Sequence, residues 1–269
     1  MDFKRHSHFT SPGRHEAALQ ALPSDLESLL EIARGLLVHG DYLHLYDMGD
    51  GDFSTVSRQT LPLAQRLDRQ LASDPRPLAK QRPPRDRSVG TCRDYAVMAC
   101  GMLRAKAVPA RVRCGFAAYF AEDRYEDHWI CEYWRDNEGR WARADGQLDA
   151  PHRAHLNITF DTSDLPVGAY LSADQAWRAQ RSGAIAAERF GHGAALGEWF
   201  LWVNLARDWH SLQNQETSPW DKWRAAPDNV KTLGPRERAL CDEIAGWIEA
   251  VDHGSGPKDA RPTPFWHAQ

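Results

Sequence analysis

The stretch that decides the fold is "VGTCRDYAVMACGMLRAKAVPARVRCGF", which runs from Val89 to Phe116. Cys92 follows a Gly-Thr turn and opens a segment whose apolar residues recur at helical spacing. Pro109 disfavours helix at the residue before it, and the residues after it alternate in polarity as a strand does. A cysteine in the first turn of a helix is either a small packed residue or a nucleophile. The second role is possible because the helix dipole and the unpaired N–H groups favour its thiolate.

The composition is that of an ordinary globular chain. Of its 269 residues 42% are hydrophobic, and 33 Lys and Arg against 37 Asp and Glu give a net charge of −4. Such a balance offers nothing that would attract nucleic acid or an anionic membrane. The N-terminus lacks the apolar core of a signal peptide, and no run approaches the roughly 20 apolar residues of a membrane helix. We therefore expect a cytoplasmic protein that binds neither nucleic acid nor membranes.

The cysteines and histidines do not form a metal-binding pattern. Five cysteines without a CxxC pair argue against a disulfide framework or a structural zinc site. His152 and His155 could approach a metal together with His128, but no HExxH or comparable ligand set accompanies them. We expect no metal and no cofactor. The cysteines other than Cys92 are expected to be packed residues, namely Cys100, Cys114, Cys131 and Cys241.

Patterning divides the chain into regions that are expected to form one structural domain of α+β class. Residues 1–80 form a helical N-terminal region, 81–160 the core, 161–252 a Trp-rich helical region, and 253–269 a flexible tail.

Within these regions, residues 1 to about 20 are expected to be loosely ordered. A capping box of Ser24 and Glu27 predicts a helix that continues to Gly40. From Thr162 onward the pattern predicts only helix and loop. The remaining predicted elements are a helix over 61–72, strands over 111–120, 128–134 and 140–148, and a helix over 197–212.

A thiol nucleophile needs a base, usually a histidine that a carboxylate orients. His128 opens the second predicted strand and Asp145 lies on the third. If residues 136–139 form a four-residue hairpin loop, Asp145 stands opposite Ile130, two residues from His128. The period of two then puts all three on one face, with His128 and Asp145 roughly 7 to 8 Å apart at the backbone. The imidazole could bridge Asp145 and Cys92.

The segments "GTCRDYA", "VPARVRCGF", "DHWICEYW" and "RWARADGQ" resemble the core of the transglutaminase-like cysteine enzymes, a branch of the papain-like α+β architecture. The resemblance covers about 87–148. It implies that Cys92 is the nucleophile, His128 the general base and acid, and Asp145 the orienting carboxylate. One departure is Ala107, where family members often carry Gly. Since alanine in a left-handed cap costs about 1 kcal/mol, the helix is expected to end differently here.

The resemblance implies acyl transfer through a thioester on Cys92, with an amide, ester or thioester carbonyl as the target. Water or an amine would accept the acyl group, and the substrate would be a small or peptide-like molecule, free or carrier-bound. A catalytically silent scaffold of the same fold is the alternative, and the sequence does not decide the oligomeric state. Candidate substrate-binding residues are Arg87, Trp129, Trp202, Asn204 and Asp208.

Two further assignments stay open at this point. The backbone N–H of Cys92 is the first candidate for an oxyanion donor, with Arg87 and Gln81 as upstream candidates for the second. Six arginines near Cys92 in the sequence could bind a substrate carboxylate or phosphate, but surface ion pairs are the simpler expectation for them; they are Arg82, Arg85, Arg87, Arg93, Arg111 and Arg113. The tryptophans of 197–212 either pack in a core or wall the substrate site.

Overall fold

A computed structural model describes residues 1–49, 61–218 and 232–254. The fold is α+β, as predicted, with helices and a mostly antiparallel sheet. The chain forms two compact units: unit 1 comprises Met1–Val112 and Trp129–Pro166, and unit 2 comprises Arg113–His128 and Val167–Gln269. All but the first two residues of the expected tail lie outside the described residues.

The α-helices of the described residues are α1 Glu16–Gln20, α2 Leu26–Leu36, α3 Leu63–Ser73, α4 Cys92–Ala105, α5 Ala150–His155, α6 Ala173–Arg181, α7 Glu198–Ser211 and α8 Pro235–Asp252. The strands are β1 Leu37–His39, β2 Ser88–Gly90, β3 Ala110–Ala117, β4 Tyr125–Arg135, β5 Arg140–Ala144, β6 Tyr170–Ser172, β7 Phe190–His192 and β8 Ala195–Leu196.

The N-terminal segment of unit 1 is fixed by hydrogen bonds, so the expectation that residues 1–20 are loosely ordered is wrong. The Phe9 carbonyl accepts from the Leu63 N–H at 2.8 Å. Thr10 is fully buried, and its hydroxyl oxygen accepts from Arg104 at 2.9 Å. These partners lie far along the chain, and for that reason local composition does not reveal them.

Helix α2 begins and ends elsewhere than the sequence predicts. Its N-cap is Asp25, whose carboxylate accepts from the Ser28 N–H at 2.9 Å, and not Ser24. The helix stops before Gly40, because β1 follows it directly and pairs in parallel with β2. Strand β2 leads through Thr91 into α4, against which α1, α2 and α3 pack.

Helix α4 ends in a left-handed cap that alanine occupies. Ala107 has a φ of 58°, and its N–H donates to the Arg104 carbonyl at 2.9 Å. The Val108 N–H donates to the Leu103 carbonyl at 3.0 Å, which completes a Schellman motif. The expectation that this helix ends differently is therefore wrong: the cap has the usual geometry without the usual glycine.

The hairpin of β4 and β5 has the predicted register. Arg135 pairs with Arg140 at the turn, and the antiparallel ladder continues to the pair of Cys131 and Ala144. The ladder ends there, one position before Ile130 and Asp145, so the predicted pairing of these two residues lies beyond the end of β5.

Unit 2 combines a sheet with three helices. Its strand order is β6-β3-β4-β7-β8, where β3 pairs antiparallel with β6 and β4 pairs in parallel with β7. The prediction of only helix and loop after Thr162 is wrong at β6, β7 and β8, which are too short to show a period. Helices α6, α7 and α8 pack on one another. The Phe116 ring lies 5.1 Å from Phe190 and 6.3 Å from Phe200, so α7 helps to cover β3.

Candidate functional site

Cys92 is the first residue of α4, as predicted. Its neighbour Thr91 is the N-cap and forms a capping box with Asp94, whose carboxylate accepts from the Thr91 N–H at 2.9 Å. Cys92 is partly exposed, whereas the other four cysteines are buried. The thiol therefore lies at the positive end of a 14-residue helix with access to solvent.

The turn that precedes Cys92 is held from α3. Arg66 lies 2.8 Å from Asp94 in a buried ion pair and donates to the Val89 carbonyl at 3.0 Å. Gly90 fits closely here, since a Cβ at that position would lie 2.9 Å from the Asp94 carboxylate. Few alternative conformations remain for the backbone that presents the thiol.

Asp145 directly follows β5 and is 1% exposed. Its N–H donates to the Thr162 carbonyl at 2.8 Å, and its Oδ1 accepts from the Gln147 N–H at 2.9 Å. Arg34 donates to the Asp145 carbonyl at 3.3 Å and to the Thr162 hydroxyl at 3.0 Å. Hydrogen bonds therefore fix the backbone of Asp145, and a main-chain N–H holds one oxygen of its carboxylate.

His128 lies in β4 and is 2% exposed. Its ring centroid is 4.8 Å from Phe120 and 6.0 Å from Tyr119. Its carbonyl accepts from the Tyr170 hydroxyl at 3.4 Å. Two aromatic rings this close to the imidazole restrict its rotamers and exclude bulk water from it. Cys92 and Asp145 belong to unit 1, and His128 is the last residue of the first segment of unit 2.

Two of the candidate substrate-binding residues lie in unit 1. Trp129 is 1% exposed, and its indole N–H has no hydrogen-bond partner among the described residues. The Arg93 guanidinium lies 6.0 Å from its ring centroid. Arg87 donates to the Arg82 carbonyl at 2.8 Å and lies 3.8 Å from Asp149.

Two of the three candidates on α7, Asn204 and Asp208, bond to protein groups of unit 2. Asn204 accepts from the Cys114 thiol at 2.7 Å, and Asp208 accepts from the Cys114 N–H at 2.9 Å. Trp202 is 6% exposed. All residues of α7 are buried, which favours the packing interpretation of its tryptophans.

Arg113 lies at the centre of a buried ionic cluster and not, as the sequence suggested, in a surface ion pair. It lies 2.8 Å from Asp208, 2.9 Å from Asp252 and 3.7 Å from Asp174. Burial raises the pKa of Asp208 to about 6, although Arg113 opposes this shift. The cluster joins β3 to α6, α7 and α8.

A further polar group in unit 1 was missed by sequence reasoning. Asp149, the N-cap of α5, accepts from the hydroxyl of Tyr46 and from the ring of His152. The available signal was a capping aspartate followed three residues later by histidine. Tyr46, 103 positions away, gave none.

Within the described part of the chain, no three His, Cys, Asp or Glu side chains could hold a metal ion together. Nor does any helix there have the length and apolarity needed to cross a membrane.

Comparison with known protein families gives a match over part of the chain. Residues 65–146 match the model of the Transglutaminase-like superfamily, and they form a domain of that superfamily. Cys92, His128 and Asp145 all fall within the matched residues. No curated protein matches the sequence.

One solved structure is similar, that of a protein from Cytophaga hutchinsonii proposed to be a cysteine protease. The identity is 14% and the TM-score 0.37, over 63% of this chain and 44% of that chain. The chain therefore spans less than half the length of that protein.

Proposed function

We propose that this protein is a cysteine-dependent acyl-transfer enzyme, with Cys92 as nucleophile, His128 as general base and acid, and Asp145 as the carboxylate that orients His128. The observation that carries the proposal is the position of Cys92. It is the partly exposed first residue of α4, inside the residues that match the Transglutaminase-like superfamily.

Two other features support the same roles. The ladder of β4 and β5 has the expected register up to the pair of Cys131 and Ala144, and Asp145 is the next residue after that ladder. Continued by one position, this register would set Asp145 opposite Ile130, two residues from His128 on the same strand. Asp145 keeps a fixed backbone because Thr162, Gln147 and Arg34 bond to it. A rigid carboxylate is what the orientation of an imidazole requires.

The proposed reaction begins when His128 takes the proton of Cys92 and the sulfur attacks the carbonyl carbon of an amide, ester or thioester. The bond to the leaving group breaks, His128 gives that group its proton, and the acyl group remains on sulfur as a thioester. Water or an amine then attacks the thioester carbonyl and loses a proton to His128. The bond from the acyl carbon to sulfur breaks, and the departing Cys92 thiolate takes that proton back from His128. The Cys92 N–H is the first candidate to stabilise the oxyanion, and the Trp129 indole is a candidate donor to the substrate.

Intact-mass spectrometry with candidate acyl donors tests the proposal. Incubation with a thioester, an activated ester or a peptide amide is expected to add one acyl mass, located on Cys92, and the added mass identifies the acyl group. The adduct should be absent from Cys92→Ala, which is expected to fold normally because the thiol is small and partly exposed. Cys241→Ser is the matched control and should still acylate.

Acylation of Cys92→Ala to the wild-type extent would refute the assignment of the nucleophile. If no donor acylates the wild-type chain and turnover is absent, the silent scaffold is the better account.

A further inference from the structure

The Asp149 carboxylate of unit 1 accepts three hydrogen bonds. Its Oδ1 accepts from the His152 ring Nδ1 at 2.8 Å and from the His152 N–H at 3.2 Å, and its Oδ2 accepts from the Tyr46 hydroxyl at 2.5 Å. Arg87 lies 3.8 Å away and balances its charge. The group Tyr46, Asp149 and His152 is called the histidine site below.

The protons of the histidine site can be assigned from these bonds. Burial opposes ionisation of Asp149, but the bonds from His152 and Tyr46 prevail and lower its pKa. Burial and the bond to Asp149 raise the pKa of Tyr46, so its hydroxyl keeps the proton that it donates. Because an ionised carboxylate can only accept, the Nδ1 of His152 must carry a proton.

The other ring nitrogen of His152 has no such partner. The residue is fully buried, and its Nε2 makes no hydrogen bond to any described residue. The Tyr42 ring lies 4.9 Å from the imidazole and the Tyr46 ring 6.1 Å, so aromatic faces border the site. A buried nitrogen with a free lone pair is destabilising unless a donor reaches it.

We infer that the histidine site binds a small hydrogen-bond donor, water or a primary amine, at the Nε2 of His152. A carboxylate on Nδ1–H and a bare Nε2 are the arrangement by which proteins prepare an imidazole to accept a proton. The burial of His152 limits the ligand to a few heavy atoms.

Histidine-selective ¹⁵N labelling and long-range ¹H–¹⁵N correlation test the inference on the full chain. The signals absent from His152→Gln identify this ring and are expected to report a proton on Nδ1 and none on Nε2. Methylamine should shift the Nε2 signal saturably, whereas tetramethylammonium, a cation without N–H groups, should not. If water is the ligand, the ring protons should instead cross-relax with a long-lived water molecule.

Matched variants complete the design. His155→Gln changes an exposed histidine of the same helix and should leave the His152 signals unchanged. Tyr46→Phe removes one of the bonds to Asp149 and is expected to weaken methylamine binding several-fold while the chain stays folded. A proton found on Nε2, or a bare Nε2 that responds to neither amine nor water, would overturn the inference.

Discussion

At the scale of single residues, the surroundings of a buried charged group decide whether it stabilises the fold and at what pH it ionises. Arg113 and Asp208 are both fully buried, and each would be strongly destabilising alone. The cluster that they form with Asp174 and Asp252 contains more carboxylates than guanidinium groups. Burial also raises the pKa of Asp174, so the cluster as a whole favours proton uptake.

This residue environment predicts a pH effect on stability. Since the pKa of Asp208 is raised to about 6 when folded and is about 3.9 when unfolded, its contribution is most favourable below pH 4 and is lost as the pH rises through 6. Relative to Asp208→Asn, which does not titrate, wild type should lose about 1 kcal/mol of unfolding free energy between pH 5 and pH 7. Urea unfolding at several pH values measures this difference.

Asp123→Asn is the control for that experiment, because Asp123 is exposed and its variant should follow the wild-type pH dependence. A constant difference between wild type and Asp208→Asn across the range would contradict the account of the buried cluster.

At the scale of elements, α4 depends on how both its ends are made. Its N-terminus combines a capping box with the buried pair of Arg66 and Asp94. Its C-terminus is a Schellman motif with Ala107 in the left-handed position. The first end is well adapted to hold Cys92, and the second carries backbone strain.

Ala107→Gly should therefore stabilise the protein. Glycine adopts a positive φ without the steric penalty of a Cβ, so the unfolding free energy is expected to rise by up to about 1 kcal/mol. Ala105→Gly, two residues earlier and still helical, should lower it by a similar amount. Thermal and chemical unfolding measure both variants, and destabilisation by Ala107→Gly would show that the cap does not form.

Gly90→Ala should act at the other end of α4. The added methyl would lie 2.9 Å from the Asp94 carboxylate, so the capping box has to shift. We expect a loss of about 1 kcal/mol or more, and slower alkylation of Cys92. Gly246→Ala on α8, where a Cβ would contact nothing, should instead stabilise the helix. Equal behaviour of the two variants would contradict the close fit at Gly90.

At the scale of the whole molecule, periodicity predicted several long elements, but it did not delimit the long helix α8 and it failed on the short strands. Helices α4 and α7 and the hairpin of β4 and β5 repeat a pattern over enough residues to be recognised. Strands β1, β2, β6, β7 and β8 have two or three residues each, which is too few for any period. The sequence predicted Ser24 as the N-cap of α2, because Ser24 and Glu27 have the spacing of a capping box. The adjacent Asp25 can also accept a hydrogen bond, and it is the N-cap in the structure.

The residues of the proposed triad were assigned from local patterns. Cys92 is marked by its turn, and the expected relation of His128 to Asp145 rests on the register of one hairpin, whose ladder runs as expected from the pair of Arg135 and Arg140 to the pair of Cys131 and Ala144. The histidine site and the Arg113 cluster join residues about 100 positions apart, and no local pattern relates them. Sequence patterns therefore indicate functional residues that lie within one hairpin or one helix turn. They do not indicate groups whose members are brought together only by the tertiary fold.

The alkylation rate of Cys92 tests the central claim most directly, because it needs no knowledge of the substrate. At pH 7 iodoacetamide should label Cys92 first in wild type, and His128→Ala should slow this labelling by about tenfold or more, since the Cys92 thiol then lacks the imidazole that accepts its proton. Asp145→Asn should slow it less, and His155→Ala should leave it unchanged. Equal labelling rates in wild type and His128→Ala would contradict the pairing of this thiol with this histidine.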